Sequence, residues 1–505
     1  MGLLLLAQSV VVSADELKSL VGTKVDDFSV RDYRGKEHSL SDYESSKVVV
    51  LAFLGTECPL AKLYAPRLAS LNAELSSRGV TFLGVNSNRQ DSNTEVATHA
   101  RRHGIEFPVL KDAGNRLADA IGVTRTPEIV VLDEKRVVRY HGRIDDQYGV
   151  GYIRDEVQKP FLKNAVADLL AGRKVKTPST EVVGCFIGKI RKPKADSPVT
   201  YSNQVARILQ KNCEECHREG EIAPFTLTKY EDVVGWGDTI LEVIEDRRMP
   251  PWHADPEIGE FTGNHGLPDE DLATLLSWIE AGAPRTGDED PLKALDAEKP
   301  NWALGEPDLI LELPAFNVPA SGEVDYEYPL VANPLDHGVW IVAGTIIPGD
   351  TKAVHHVLVG SMDEAPAEQD EGEVFDNYIM GYAPGNESGL MPEGTGVYVP
   401  AGGYFAFQMH YTPYGREAVD VTKAGFYFAD EPPANYLRHT VLPSLEARWP
   451  EARLAYWHVQ GRHEVDFVVD INEHKHGKYL AGTGHRIAAP DKIEQAIRVA
   501  LHPVA

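Results

Sequence analysis

The chain has 505 residues and a formal net charge of −26 at pH 7. It is too long for a single hydrophobic core and predicts about three domains. Its acidity excludes nucleic-acid and anionic-membrane binding, because phosphates would be repelled. No apolar run after the first dozen residues approaches the ~20 needed to cross a bilayer, so no integral membrane segment is predicted.

The N-terminus, MGLLLLAQSVVVSAD, is an apolar stretch that closes on small residues. This pattern predicts a signal segment over residues 1–15, although it lacks the basic residues that usually precede a secretory core. The alternative is a buried N-terminal segment of the folded protein. Export is favoured because of the C-x-x-C-H motif described below.

Residues 20–176 alternate strand and helix patterns. KVVVLAFLG and VTFLGVNSN are apolar runs typical of buried strands, and the segment between them has the periodicity of an amphipathic helix. PEIVVLD and RVVRYHGRI follow as a predicted hairpin. The alternation predicts an α/β domain with a mainly parallel sheet covered by helices.

Cys58, in LGTECPLAKL, lies at the turn from the first of these strands into the helix. A helix N-terminus lowers the pKa of a thiol and favours the reactive thiolate. Thr126-Pro127 precedes a later strand, where a cis proline is predicted. With these features, the region resembles the thioredoxin fold in its redoxin/peroxiredoxin branch. The resemblance implies that Cys58 is the catalytic residue.

The region also departs from the patterns of that family. Ala61 stands where the second cysteine of C-x-x-C would be, and Thr56 is one residue too close to match T-x-x-C. Cys58 is therefore either a one-cysteine redox thiol or a relic on a binding scaffold. Cys185 either resolves an oxidised Cys58 by forming a disulfide, or is a buried cysteine in the linker predicted over residues 177–198.

The next motif is Cys213-Glu214-Glu215-Cys216-His217, the C-x-x-C-H pattern of c-type haem attachment. The two thiols would add to the porphyrin vinyl groups, and the adjacent histidine would ligate iron. A zinc site would need two further ligands nearby, and a disulfide would leave His217 unexplained. The motif predicts a covalent haem c. Because such attachment takes place outside the cytoplasm, it also predicts a periplasmic or secreted protein.

Helical patterns on both sides of this motif predict an all-α domain over residues 199–290. The turn Arg248-Met249-Pro250-Pro251 places a thioether on a rigid loop, whereas a core methionine would not suit neighbouring prolines. The region resembles small c-type cytochromes in which CxxCH is followed by an MPPW turn. That resemblance implies His217 and Met249 as axial iron ligands, with His253 as the substitute for Met249.

Short apolar segments separated by Gly, Pro and Asp predict an all-β sandwich over residues 300–435. His355 and His356 lie in AVHHVLVG, and His410 lies in YFAFQMHYTP. Neighbouring strand residues face opposite ways, so both imidazoles can join one site only if the strand is twisted or bulged. Three imidazoles on strands suit copper.

The segments HHVLV, GYAPGN and QMHYTP resemble the amino half of the copper type II, ascorbate-dependent monooxygenases. The resemblance implies that His355, His356 and His410 bind the electron-transfer copper. It also implies a small-molecule reductant and an organic substrate of unknown identity. The order redoxin, c-type cytochrome and copper monooxygenase is similar to that of large secreted proteins of planctomycete-type bacteria.

The second half of the monooxygenase pattern is missing. It should supply an H-x-H pair and a methionine for a second copper, but the last methionine of this chain is Met409. Residues 436–505 are interpreted as a divergent or grafted tail with no assigned function. Two metal-site patterns lie in it, an H-x-H pair and a nuclease-like D…E-x-K set: His474 and His476, and Asp466, Glu473 and Lys475.

Taken together, the motifs predict an extracytoplasmic oxidoreductase or electron-transfer protein that depends on haem and copper. An electron-transfer protein is the expected macromolecular partner. Two alternatives stay open. One is a non-enzymatic haem and copper electron carrier, and the other is a thiol peroxidase or reductase acting through Cys58.

Overall fold

The structure is a computed structural model that describes most of the chain between residues 20 and 436. The described ranges are 20–252, 264–287, 289–292, 302–320, 322–365, 375, 377–386 and 388–436, with the backbone of short strands beyond them. The predicted signal segment and His253 lie outside the described residues. So do His474, His476, Glu473 and Lys475 of the tail. No helix among the described residues is long and apolar enough to cross a membrane.

The N-terminal region forms the predicted α/β domain, because its apolar runs pair into one central sheet. Its strands are β1 (Ser29–Arg31), β2 (Glu37–Ser39), β3 (Val48–Phe53), β4 (Val80–Asn86), β5 (Val109–Lys111), β6 (Arg125–Thr126), β7 (Glu128–Leu132), β8 (Val138–Gly142), β9 (Tyr148–Gly149) and β10 (Tyr152–Ile153). Its helices are α1 (Pro59–Leu75), α2 (Asn93–Arg102), α3 (Arg116–Ile121) and α4 (Phe161–Leu170).

The central sheet has the order β5-β4-β3-β7-β8. Strand β3 is parallel to β4, and β4 is parallel to β5, but β7 runs antiparallel to both β3 and β8. Two of the four pairings are parallel, so the sheet is mixed and not mainly parallel, and both antiparallel pairings involve the predicted hairpin β7–β8. Strand β3 is buried along its whole length, which explains why it carries no polar residue.

Part of the segment predicted as a linker is folded onto this domain. Strand β11 (Cys185–Phe186) pairs antiparallel with β6, placing Cys185 opposite Thr126. Ile187 is buried among the side chains on one face of the central sheet. The segment therefore packs as part of the α/β domain before the chain continues into the next region.

The helical region follows, from residue 199 to residue 292. It contains a π-helical turn over Tyr201–Val205 and the helices α5 (Ala206–Asn212), α6 (Tyr230–Gly235), α7 (Gly237–Glu245) and α8 (Asp269–Glu280). Its core is built around Tyr201, Trp236 and Trp278, which are nearly or fully buried. Large aromatic side chains allow this small region to bury much apolar area with few residues.

The β-rich region, residues 302–436, forms two sheets that pack face to face. One sheet contains β12 (Leu309–Glu312), β15 (Val339–Ile347), β18 (Ser388–Leu390), β19 (Thr395–Val399), β22 (Lys423–Phe428) and β23 (Asn435–Tyr436). The other contains β14 (Leu330–Ala332), β16 (Val354–Met362), β17 (Asn377–Tyr382) and β20 (Tyr404–Tyr411), and β13 (Phe316–Val318) pairs separately with β21 (Ala418–Asp420). Phe405 and Phe426 stack between the sheets with ring centroids 5.0 Å apart. The region is the predicted β-sandwich.

Beyond residue 436 the structure describes three strands that form an antiparallel sheet. They are β24 (Arg453–Trp457), β25 (Asp466–Asp470) and β26 (Tyr479–Ala481). Asp466 opens β25, and only its backbone is described. The interpretation of the tail stays a prediction.

Candidate functional site

Cys58 lies where the sequence predicts it, at the N-cap of α1 directly after the loop that leaves β3. Its side chain is fully buried. The thiol donates a hydrogen bond to the carbonyl oxygen of Thr126, with Sγ and O 3.0 Å apart. The peptide bond between Thr126 and Pro127 is cis, as predicted. The helix terminus and the Thr126 carbonyl therefore meet at the same sulfur atom.

Cys185 reaches this site from the far side of Thr126. Its backbone pairs with that of Thr126, and its side chain packs against the buried cluster that contains Cys58. The residue before it must be glycine. An added Cβ on Gly184, which has a φ of +144°, would lie 2.0 Å from the Thr126 carbonyl oxygen. This close approach brings two distant cysteines together although Ala61 stands where a C-x-x-C partner of Cys58 would be.

The two thiols differ in acidity. Burial opposes ionisation of Cys58, but hydrogen bonds from Cys185 and the backbone of Ala61 outweigh it and lower the pKa of Cys58 to about 6. Cys185 donates its hydrogen bond to Cys58, and this together with burial raises the pKa of Cys185 well above its ordinary value. Cys58 is therefore the more acidic thiol of the pair, and Cys185 is the thiol that keeps its proton.

A buried carboxylate holds the loop that carries Cys58. One oxygen of Asp91 accepts hydrogen bonds from the backbone N–H of Thr56 and from the side-chain amides of Asn86 and Asn88, at 3.0, 2.6 and 3.1 Å. The carbonyl oxygen of the Asn88 side chain accepts from the backbone of Gly188, 3.0 Å away. One polar network thus positions both the Cys58 loop and the strand that carries Cys185.

The C-x-x-C-H residues lie in the turn after α5. The Nδ1 atom of His217 is 3.0 Å from the carbonyl oxygen of Phe225. Donation of Nδ1–H to that carbonyl would leave Nε2 as a ligand for iron. Burial lowers the pKa of His217, which favours the neutral imidazole that binds metals. Met249 lies in the turn that follows α7, and its side chain is 40% exposed. These donors are of the types that a covalent haem c requires.

The histidines of the β-rich region converge. The register of β16 against β20 shifts between Val354 and His356, so His355 is the extra residue of a β-bulge. The bulge turns two successive imidazoles to one side, which strict strand alternation would forbid. The Nδ1 atom of His356 lies 3.1 Å from that of His355 and 3.4 Å from that of His410.

These three histidines are the one group of three or more His, Cys, Asp or Glu residues among the described residues whose ligand atoms all lie within 4.8 Å of one another. Tyr326 packs against two of the rings, with centroids 5.7 Å from His356 and 4.9 Å from His410. Three imidazole donors are a set that suits copper. The sequence identified the three histidines but gave no signal for Tyr326.

The β-rich region also touches the C-x-x-C-H turn. An added Cβ on Gly385 would lie 3.9 Å from the sulfur of Cys216. The hydroxyl of Thr351, four residues before His355, donates a hydrogen bond to the backbone carbonyl of Gly220. The predicted haem motif and the three-histidine group therefore belong to regions that are in direct contact.

Comparison with known proteins concerns the N-terminal region. The family model described as AhpC/TSA matches residues 21–141. The thiol-disulfide oxidoreductase ResA of Halalkalibacterium halodurans is 30% identical over 129 residues, which is 25% of this chain and 72% of that protein. The chain belongs to the AhpC/TSA family. Through this AhpC/TSA domain it is a redoxin-type protein, as the fold and the placement of Cys58 predicted.

Two further similarities concern the same part of the chain. ResA of Geobacillus thermodenitrificans is 33% identical over 119 residues, covering 24% of this chain and 67% of that protein. A hypothetical protein of Sinorhizobium meliloti 1021 has a solved structure with 30% identity and a TM-score of 0.32, covering 34% of this chain and 94% of that chain. The haem and copper assignments outside the AhpC/TSA domain stay predictions.

Proposed function

We propose that this protein is a thiol–disulfide oxidoreductase in which Cys58 is the attacking thiol and Cys185 the resolving thiol. The observation that carries the proposal is that both cysteines meet Thr126: the sulfur of Cys58 lies 3.0 Å from its carbonyl oxygen, and Cys185 is its partner in the β6–β11 pairing. Cys185 takes the place of the second cysteine missing at Ala61. The sequence left two questions open. The proposal makes Cys58 a redox-active thiol and not a relic on a binding scaffold. It makes Cys185 the resolving cysteine and not a buried cysteine of a linker.

The exchange begins at the more acidic thiol. The Cys58 thiolate attacks one sulfur of a substrate disulfide, forming a mixed disulfide and releasing one substrate thiol. The thiol of Cys185 then loses its proton and attacks the sulfur of Cys58. The second substrate thiol leaves, and a Cys58–Cys185 disulfide remains. The substrate gains two electrons and two protons, and the protein loses them, so an external reductant must restore the pair.

Thiol counting with oxidised glutathione tests these roles. Reduced wild-type holoprotein should release two glutathione thiols per chain. Cys185→Ser should stop after one, with glutathione attached to Cys58, because nothing can displace it. Cys58→Ser should release none. Release measured with a chromogenic thiol reagent, with the adduct located by mass spectrometry, checks each role. Equal release by wild type and Cys185→Ser would contradict resolution by Cys185.

A second candidate function is electron transfer by haem and copper, and the convergence of the three imidazoles favours it. Cys213 and Cys216 would hold the haem, with His217 and Met249 as axial ligands. His355, His356 and His410 would hold copper. When bound, the two metals would supply one-electron chemistry. The contact between the C-x-x-C-H turn and the β-rich region supports exchange of electrons between them.

The role proposed for the β-rich region is that of a carrier and not of a complete monooxygenase. Among the described residues one group of three imidazoles converges, which suits a single electron-transfer copper. A small-molecule reductant such as ascorbate and an electron-transfer protein are the proposed partners. Because haem is attached covalently outside the cytoplasm, the proposed location is periplasmic or secreted.

A further inference from the structure

The strand that carries Cys185 closes the thiol site from outside. The segment Gly184–Gly188 is named here the latch. On the side of the AhpC/TSA domain, the backbone of Ile187 donates to the carbonyl of Thr124 at 2.8 Å, and that of Arg89 donates to the carbonyl of Gly188 at 3.1 Å. With the latch in place, Cys58 has an exposed fraction of 0%. Cys185, which belongs to the latch, packs against the buried cluster that contains Cys58, so the latch is part of what covers the Cys58 sulfur.

The helical region contacts the other side of the latch. The backbone N–H of Phe186 donates to the hydroxyl of Thr239 on α7, 3.0 Å away. The guanidinium of Arg125 lies 3.8 Å from the centroid of the Phe186 ring and donates to the carbonyl of Gly184 at 2.7 Å. The same guanidinium forms two hydrogen bonds to the carboxylate of Glu242, at 2.8 and 3.2 Å. The latch is therefore held between two regions of the chain.

Glu242 also connects the latch to the predicted haem ligand. Its carboxylate lies 3.4 Å from the guanidinium of Arg248, the residue before Met249. The carboxylate is partly buried, which opposes its ionisation, but Arg125 and Arg248 outweigh that effect and lower the pKa of Glu242. A single charged side chain thus joins the arginine that holds the latch to the turn that carries Met249.

We propose that the latch is an autoinhibitory contact, held shut by Thr239 and Glu242 of the helical region, and that its release exposes Cys58 to external thiols and disulfides. This inference rests on the proposed function, because the site that the latch closes is the Cys58–Cys185 pair. Release would also free the backbone edge of β6, which an extended cysteine-containing peptide can pair with as an added strand. Substrate access would then depend on the helical region.

The test is the labelling rate of Cys58 in full-length reduced holoprotein with iodoacetamide, followed by peptide mass spectrometry. Wild type should label slowly, because Cys58 reacts only when the latch opens. Glu242→Gln should label at least about tenfold faster, because it weakens charge-assisted hydrogen bonds to Arg125. Thr239→Val should also label faster, and it serves if the first variant folds poorly.

The matched control is Glu74→Gln, which removes an exposed ion pair between Glu74 on α1 and Lys163 on α4, two residues outside the latch. It should label at the wild-type rate. Labelling rates are compared on the high-pH plateau, where Cys58 is fully ionised in every variant. A difference in rate then reports the accessibility of the sulfur and not a change in its pKa. Equal plateau rates in wild type, Glu242→Gln and Thr239→Val would overturn the latch. Faster labelling without any Cys58–Cys185 disulfide would support the latch and contradict the resolving role.

Discussion

Replacing His410 with alanine is expected to remove most of the copper from the protein and to weaken copper affinity by more than about hundredfold. Even loss of a residue that only supports a metal ligand costs 10–100-fold in affinity, so loss of a ligand should exceed that. His410 lies directly opposite His356 in the β16–β20 register, and the two Nδ1 atoms are 3.4 Å apart. Without it, two imidazoles on one strand remain.

The matched control for this variant is His337→Ala. His337 belongs to the same β-rich region but is exposed and pairs with Asp336 at 2.6 Å. Wild type and this control should each bind one copper per chain, measured by metal analysis against haem content. His474→Ala and His476→Ala should matter little. Two tightly bound coppers in wild type, or full copper content in His410→Ala, would contradict the proposed carrier site.

Gly184→Ala should separate β11 from β6 and move Cys185 away from Cys58. Its added Cβ would lie 2.0 Å from the oxygen and 2.8 Å from the carbon of the Thr126 carbonyl, atoms of a backbone that cannot move aside locally. Positive-φ strain and the steric overlap should together reduce the free energy of unfolding by about 3 kcal/mol. The pKa of Cys58 should rise because its hydrogen bonds from Cys185 are lost.

Gly172→Ala is the matched control for that change. Gly172 also has a positive φ, +69°, but an added Cβ there would meet nothing within 4 Å. It should cost about 1 kcal/mol and leave the pKa of Cys58 unchanged. Denaturant titration and the pH dependence of Cys58 alkylation measure both effects. If the two variants lose the same free energy of unfolding and show the same pKa of Cys58, the close approach of Gly184 to Thr126 does not hold the latch in place.

Local patterns predicted much of this structure. The run KVVVLAFLG, the turn at Cys58 and the cis peptide at Pro127 depend on neighbouring residues, and the structure contains all of them. The antiparallel pairing of β7 with β3 was not predicted, because strand periodicity does not specify which strand becomes the neighbour. Strand alternation implied that His355 and His356 could share a site only at a twist or bulge, and the structure contains that bulge.

The contacts that matter most for the proposed function are long-range and left little local signal. Cys185 meets Cys58 only because Gly184 allows its strand to approach Thr126. Arg125 and Glu242 are ordinary surface charges in the sequence, and their pairing across two regions follows from how those regions pack. A glycine directly before a lone cysteine was the one available sign, and it does not identify a partner.

The most direct measurement of the central claim is a non-reducing tryptic map of the oxidised holoprotein. Cleavage after lysine places Cys58 in the peptide 48–62 and Cys185 in the peptide 177–189. The proposed pair predicts that these two peptides are linked, and that the link disappears on reduction with dithiothreitol. Unlinked peptides, with Cys58 oxidised to a sulfinic acid or bonded to another thiol while Cys185 stays free, would contradict the account.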